Sequence, residues 1–228
     1  MSDLITLRAR PAAQHSRPAD WKRGLHANVT VMTGCNRRCP DCCCGDVVLR
    51  AKSRVFSAED IARDVGALGD VGHVILTGGE PTLHPDFPRV AEMARNARGG
   101  RRMTLVTNGA RLVKHAEATR FFDAIRMSVF TDASNAGEST DPNIAEEFRK
   151  ICPPGVSFEP SVVIHYRTVG GGNPCERIYN TVSTMDGRAY SCCVASGIDG
   201  AQSTDLSSGW EDRLLGVAAP CSTCVFGI

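Results

Sequence analysis

The stretch TGCNRRCPDCCCGD, residues 33–46, carries five cysteines within ten positions. It continues from HANVTVMTG (26–34), which predicts a β-strand that leads directly into the cysteine loop. Cys35, Cys39 and Cys42 have the spacing C-x3-C-x2-C. A structural zinc site usually draws on two well-separated C-x2-C pairs, whereas three thiolates on one loop suit three irons of a four-iron cluster. The spacing therefore favours an iron–sulfur cluster whose fourth iron is open to another ligand.

The composition is that of a soluble globular chain. With 228 residues and 42% hydrophobic residues, it fits one large domain or one domain with an appended lobe. The net charge of +1 gives no bulk field that would favour nucleic acid or a membrane surface, and we expect neither as a partner. The first residues contain no long apolar run, so we expect a cytoplasmic protein. In that reducing compartment, eleven cysteines indicate metal ligands before disulfides.

Short apolar runs alternate with helical patterns along most of the chain. This alternation predicts a parallel α/β sheet with right-handed crossovers. The predicted strands are 26–34, 72–80, 102–109, 124–130 and 156–167, and the predicted helices are 57–69, 87–97, 113–122 and 142–152.

The chain divides into three parts. Residues 1–25 form a polar lead-in, and residues 26–168 carry the strand–helix alternation. The glycine-rich stretch TVGGGNPC then marks a hinge, so that residues 169–228 form a separate cysteine-rich domain.

Three loops of chemical character follow consecutive predicted strands. They are the cysteine loop, TGGEP (77–81) and TNG (107–109). Taken alone, the glycine pair could serve only as a turn, and Asn-Gly only as a left-handed bend. Because active sites of parallel α/β sheets form at the carboxyl ends of the strands, the three loops together indicate a site.

The three loops resemble those of the radical S-adenosylmethionine (SAM) enzymes, which carry C-x3-C-x2-C after the first strand and GGE after the second. The resemblance implies a partial (β/α) TIM-like barrel of about five to six parallel strands. It also implies that SAM chelates the open iron of a [4Fe–4S] cluster and that the GGE loop receives its methionine amino group. The implied cluster ligands are Cys35, Cys39 and Cys42, and the implied cofactor-binding residues are Gly78, Gly79, Glu80, Asn108 and Ser128.

The chemistry implied by the resemblance is a radical reaction. An external one-electron reductant of the flavodoxin or ferredoxin type reduces the cluster, and cleavage of SAM then yields a 5′-deoxyadenosyl radical that abstracts a substrate hydrogen. One residue departs from the family pattern, because Asp41 stands where an aromatic residue near the adenine is common. The adjacent Cys43 and Cys44 fall outside the ligand triplet, and packing is the simplest role for them.

The tail carries a second set of thiols. Two cysteines around a predicted hairpin, MDGRAYSCC (185–193), and a terminal C-x2-C pair supply four thiolates, which can close a zinc or an iron–sulfur site. The pattern resembles the twitch lobe, the shortened form of the SPASM extension of the same superfamily. This resemblance implies one auxiliary [4Fe–4S] cluster ligated by Cys175, Cys192, Cys221 and Cys224, with Cys193 as an alternative to Cys192.

The layout is similar to that of radical SAM dehydrogenases that oxidise a carbinol of a small molecule, with the auxiliary cluster as electron acceptor. Such a reaction needs a base, and Glu159, His165 and Tyr166 on the last core strand are the catalytic candidates. A second hypothesis is modification of a peptide by epimerisation or thioether formation, in which Cys43 or Cys44 would be catalytic as a hydrogen donor. A third is a zinc- or cluster-binding module without catalysis. We expect His84 and His115 to be surface residues.

Overall fold

The structure is a computed structural model that describes residues 21–37, 39, 53–129, 141–162, 181–190 and 204–207. Several residues named above lie outside these ranges. They are Asp41, Cys42, Cys43, Cys44, His165, Tyr166, Cys175, Cys192, Cys193, Cys221 and Cys224.

The described residues form one eight-stranded sheet, which confirms the predicted α/β architecture. The strand order is β5-β4-β3-β2-β1-β6-β7-β8. The first six strands run parallel to their neighbours, and β7 and β8 are antiparallel. The strands are β1 His26–Thr30, β2 His73–Thr77, β3 Arg102–Thr107, β4 Ala124–Val129, β5 Ser157–Val162, β6 Thr181–Met185, β7 Arg188–Tyr190 and β8 Thr204–Asp205.

Three α-helices connect the parallel strands: α1 Ala58–Ala67, α2 Phe87–Ala97 and α3 Pro142–Ile151. Ser57 caps α1, because its hydroxyl accepts a hydrogen bond from the backbone N–H of Asp60. Short 3-10 helices span Trp21–Gly24, Pro81–Leu83 and Ala116–Phe121. Among the described residues, no helix has the length and hydrophobicity needed to cross a membrane.

The helix predicted at 113–122 is present only in part, and it is not an α-helix. Turns lead into the 3-10 helix Ala116–Phe121 instead. Within it, the Thr119 hydroxyl donates to the carbonyl of Ala116 three residues earlier. A side chain that bonds the backbone in this way competes with the regular α-helical pattern.

The two faces of the sheet differ in chemistry. One face buries an apolar core together with α1 and α2, and its strand residues include Ala27, Val29, Val74, Leu76, Met103, Leu105, Ile125 and Met127. Because side chains alternate along a strand, the opposite, interior face carries the residues in between. That face is largely polar and includes Asn28, Thr30, Thr77, Thr104, Arg126, Ser128, Glu159, Ser161 and Ser183.

The predicted tail hairpin is present and extends the core sheet. Strands β6 and β7 pair through the turn Asp186-Gly187, whose two residues both have positive φ (57° and 72°), as a tight type I′ turn requires. The turn docks on the core, because Asp186 forms a 2.5 Å ion pair with Arg54 and the Gly187 N–H donates to Asp64 at 3.2 Å. Strand β6 itself pairs with β1. The division at residue 168 into two domains stays a prediction.

Candidate functional site

The cysteine loop and the GGE loop are joined by backbone hydrogen bonds. The N–H of Gly79 donates to the carbonyl of Met32 at 2.8 Å, and the N–H of Glu80 donates to the carbonyl of Gly34 at 2.9 Å. The two loops therefore hold each other in place directly before Cys35.

The two glycines of this loop are required by close backbone contact. A Cβ at Gly78 would lie 2.4 Å from the Met32 carbonyl oxygen, and the φ of +133° at Gly78 disfavours any other residue. A Cβ at Gly79 would lie 2.1 Å from the carbonyl oxygen of Gly34. The glycine pair therefore does more than make a turn, because it lets the two loops pack backbone against backbone.

Glu80 ties the GGE loop to the loop after β3. Its side chain is only 1% exposed. One carboxylate oxygen, Oε1, accepts hydrogen bonds from the backbone N–H and hydroxyl of Thr82 (3.0 and 2.6 Å) and from the Thr107 hydroxyl (2.5 Å). The other, Oε2, accepts from the backbone N–H of Asn108 at 2.6 Å. Burial raises the pKa of Glu80, while these four donors favour the ionised form and oppose the shift.

Asn108 completes the connection back to the cysteine loop. It is 8% exposed, and its amide nitrogen Nδ2 lies 2.9 Å from Asn36 Oδ1 and 3.7 Å from Cys35 Sγ. The backbone N–H of Arg37 also donates to Cys35 Sγ, at 3.3 Å. The three loops that the sequence singled out thus converge on one thiol.

The described part of the cysteine loop fits an iron–sulfur cluster. Cys35 and Cys39 are half-buried thiols on one loop. The N–H groups around Cys35 are the donors that a cluster thiolate accepts. A structural zinc site would need a fourth protein ligand to close its tetrahedron, and the predicted triplet supplies only three.

Of the remaining predicted site residues, the two that the structure describes, Ser128 and Glu159, lie on the interior face of the sheet. Thr107 of β3 pairs with Met127 of β4, so half-buried Ser128 stands level with Asn108 at the same edge. Glu159 Oε2 accepts a 3.1 Å hydrogen bond from Arg126 Nε. This bond, together with the charge of Arg126, holds the pKa of Glu159 below its usual value.

Sequence reasoning missed several residues of the site. Asn36 lies between two of the predicted ligand cysteines, and its polar side chain was a usable signal. No spacing connects Thr82 and Thr107 with Glu80, because they come together only in the fold. The surface position predicted for His84 is wrong, since the residue is 3% exposed and its Nε2 bonds the carbonyl of Phe56 at 2.8 Å.

Fold and site together define an α/β partial barrel with a cysteine loop at the carboxyl edge of its parallel strands. The profile of the Radical SAM superfamily matches residues 29–162, more than half of the chain. The chain belongs to the radical SAM superfamily, and this membership implies a [4Fe–4S] cluster and SAM as cofactors.

The alignments with curated relatives cover only part of each protein. The GTP 3′,8-cyclase of Psychromonas ingrahamii is 33% identical over 102 residues, which are 43% of this chain and 29% of the relative. The GTP 3′,8-cyclase of Tolumonas auensis is 30% identical over 105 residues, which are 45% of this chain and 31% of the relative. The chain thus spans about a third of the length of these curated relatives.

Two solved structures share the fold. BtrN in complex with AdoMet and 2-DOIA superposes with a TM-score of 0.58 at 15% identity, covering 83% of this chain and 80% of BtrN. SuiB of Streptococcus suis bound to S-adenosylmethionine gives a TM-score of 0.56 at 14% identity, covering 87% of this chain and 66% of SuiB. At these identities the likeness establishes the fold alone.

Proposed function

We propose that this radical SAM enzyme oxidises a carbinol carbon of a small polar molecule to a ketone. The observation that carries the proposal is the convergence of the three loops around Cys35, at the carboxyl edge of a sheet whose interior face is largely polar. With the cluster held by Cys35, Cys39 and Cys42, the bound cofactors supply one electron and a 5′-deoxyadenosyl radical that accepts a hydrogen atom from the substrate.

Conversion of a CH–OH carbon to C=O releases one hydrogen atom, one proton and one electron. The hydrogen atom goes to the deoxyadenosyl radical, and the proton goes to a base on the barrel. The electron needs an acceptor, and an auxiliary cluster ligated by Cys175, Cys192, Cys221 and Cys224 is the acceptor that this proposal assigns.

The interior face suits a hydroxylated substrate. Its side chains near the carboxyl edge include the hydroxyls of Thr30, Thr77, Ser128 and Ser161 and the ion pair Arg126–Glu159. Hydroxyl groups both donate and accept, so they can match the hydroxyls of a bound substrate. Glu159, paired with Arg126, is the candidate base among the residues that the structure describes. His165 and Tyr166 are the other candidates for the base.

The test is anaerobic reconstitution, followed by measurement of iron and sulfide per chain and of 5′-deoxyadenosine formed with SAM and a strong reductant. About eight irons support two [4Fe–4S] clusters, whereas about four remove the auxiliary cluster and with it the assigned electron acceptor. Cys35→Ala should abolish 5′-deoxyadenosine formation. The matched control is Cys152→Ala at the end of α3, which lies outside both ligand sets and should retain full iron. Zinc in place of iron would support a non-catalytic module instead.

A further inference from the structure

We propose that the Asn108 side chain donates an N–H···S hydrogen bond to the Cys35 thiolate and thereby raises the reduction potential of the cluster. The inference rests on the proposed function in one respect, namely that Cys35 is a cluster ligand. It gives Asn108 a role as a positioning residue that is separate from the cofactor contact expected from the sequence.

The orientation of the Asn108 amide is fixed by its neighbours. Its oxygen Oδ1 accepts a 3.0 Å hydrogen bond from the backbone N–H of Ala110. A backbone N–H can only donate, so this end of the side chain must be the oxygen, and the NH₂ group must face the cysteine loop. The nitrogen Nδ2 then lies 2.9 Å from Asn36 Oδ1 and 3.7 Å from Cys35 Sγ, and its two hydrogens are available to these acceptors.

The backbone of Asn108 is held independently of its side chain. Its N–H donates to the buried carboxylate of Glu80 at 2.6 Å, and Glu80 is itself bonded to Thr82 and Thr107. A substitution of the Asn108 side chain therefore leaves the loop anchored. This anchoring makes the amide donor separable from the architecture of the site.

The physical effect follows from charge. Reduction adds one negative charge to a cluster and its thiolates, and a hydrogen-bond donor at a thiolate stabilises the reduced form more than the oxidised form. Because Asn108 is 8% exposed, the donor acts where the local dielectric constant is low and its effect is larger than in water. The structure therefore assigns to Asn108 part of the control over how readily the cluster accepts its electron.

The test is a redox titration of the reconstituted full chain without SAM, in which electron paramagnetic resonance (EPR) monitors the reduced cluster. Because the proposed enzyme has two clusters, the SAM-binding cluster is identified by the change in its EPR signal when SAM is added after the titration. Asn108→Asp keeps an oxygen for the Ala110 N–H but removes both side-chain donors, and Asn108→Ala removes the donors without adding charge. Asn96→Asp, at an exposed position of α2, is the matched control for a change of charge.

We expect both Asn108 variants to shift the midpoint to a more negative potential. For Asn108→Asp the expected change is about a tenfold loss in the equilibrium constant for reduction, which is about 59 mV for a one-electron couple. The Ala variant should show a smaller shift in the same direction, and Asn96→Asp none.

Three results would overturn the inference. An unchanged potential in Asn108→Ala would show that any shift in the Asp variant is due to charge alone. Loss of iron from both Asn108 variants would show that the residue acts on cluster assembly and not on potential. A shift in Asn96→Asp as large as in Asn108→Asp would remove the assignment to this site. A wild-type chain that binds no cluster would refute the proposed function itself, which is a separate outcome.

Discussion

Asp64 provides a quantitative test of how the tail hairpin docks on the core. The residue lies on α1, is 4% exposed and accepts the N–H of Gly187 from the hairpin turn. Burial raises its pKa from 3.8 to about 6, and the charges of Asp186 and Asp60 act in the same direction. The Gly187 hydrogen bond and the charge of Arg63 oppose the shift.

The raised pKa means that ionised Asp64 destabilises the fold. Between pH 3.8 and about 6 the folded chain holds a proton that the unfolded chain has lost, so stability falls as pH rises through this window. A difference of about two pKa units corresponds to about 3 kcal/mol above the window. Asp64→Asn removes this cost while its side-chain oxygen still accepts from Gly187. The hydrogen bond to a neutral amide is weaker and costs about 1 kcal/mol, so the net gain in the free energy of unfolding is about 2 kcal/mol.

The assay is urea unfolding of the metal-free protein at a series of pH values from about 4 to 8. We expect the free energy of unfolding of Asp64→Asn to exceed that of the wild type at pH 7.5. Near pH 4 the two free energies should be similar. The matched control is Asp60→Asn, one turn earlier on the same helix. The Ser57 hydroxyl and Arg63 lower the pKa of exposed Asp60, so its replacement should destabilise the chain at neutral pH. A gain in Asp64→Asn that does not vary with pH, or no gain at pH 7.5, would refute the reasoning.

Three further experiments test the packing of the site and the hairpin. Gly79→Ala places a Cβ 2.1 Å from a carbonyl oxygen of the cysteine loop and should lose iron binding and about 2 kcal/mol or more of unfolding free energy. The control is Gly66→Ala on α1, where a Cβ would meet no atom within 4 Å, and it should gain about 1 kcal/mol of unfolding free energy. Normal iron content in Gly79→Ala would contradict the close contact at that position. Glu80→Gln places an NH₂ group against buried hydrogen-bond donors and should lower the free energy of unfolding in urea by about 1–3 kcal/mol. An unchanged urea midpoint would argue against the four-donor site. A double-mutant cycle of Arg54→Ala and Asp186→Ala should give a coupling below about 1 kcal/mol, because both side chains are about half exposed. A coupling above about 2 kcal/mol would contradict this.

Local patterns in the sequence account for much of the fold. The strand–helix alternation predicted the parallel sheet, and Ser57 marked the start of α1. The Asp186-Gly187 pair marked the hairpin turn, because few other residues adopt two successive positive φ angles. The spacing of Cys35 and Cys39 and the position of the glycine pair located the site. Each of these features depends on residues that are close together in the chain.

The tertiary structure decided how these parts meet. It places β6 beside β1, buries His84, and brings Asp64 to the hairpin turn. It also surrounds Glu80 with donors from two loops and turns the Asn108 amide towards Cys35. The sequence by itself determined most of the strands, helices and turns, because periodicity and backbone preferences depend on residues that are near one another in the chain. Only the packed fold could set the partners of each buried polar group, since those partners are distant in the chain and their hydrogen bonds exist only once water has been excluded.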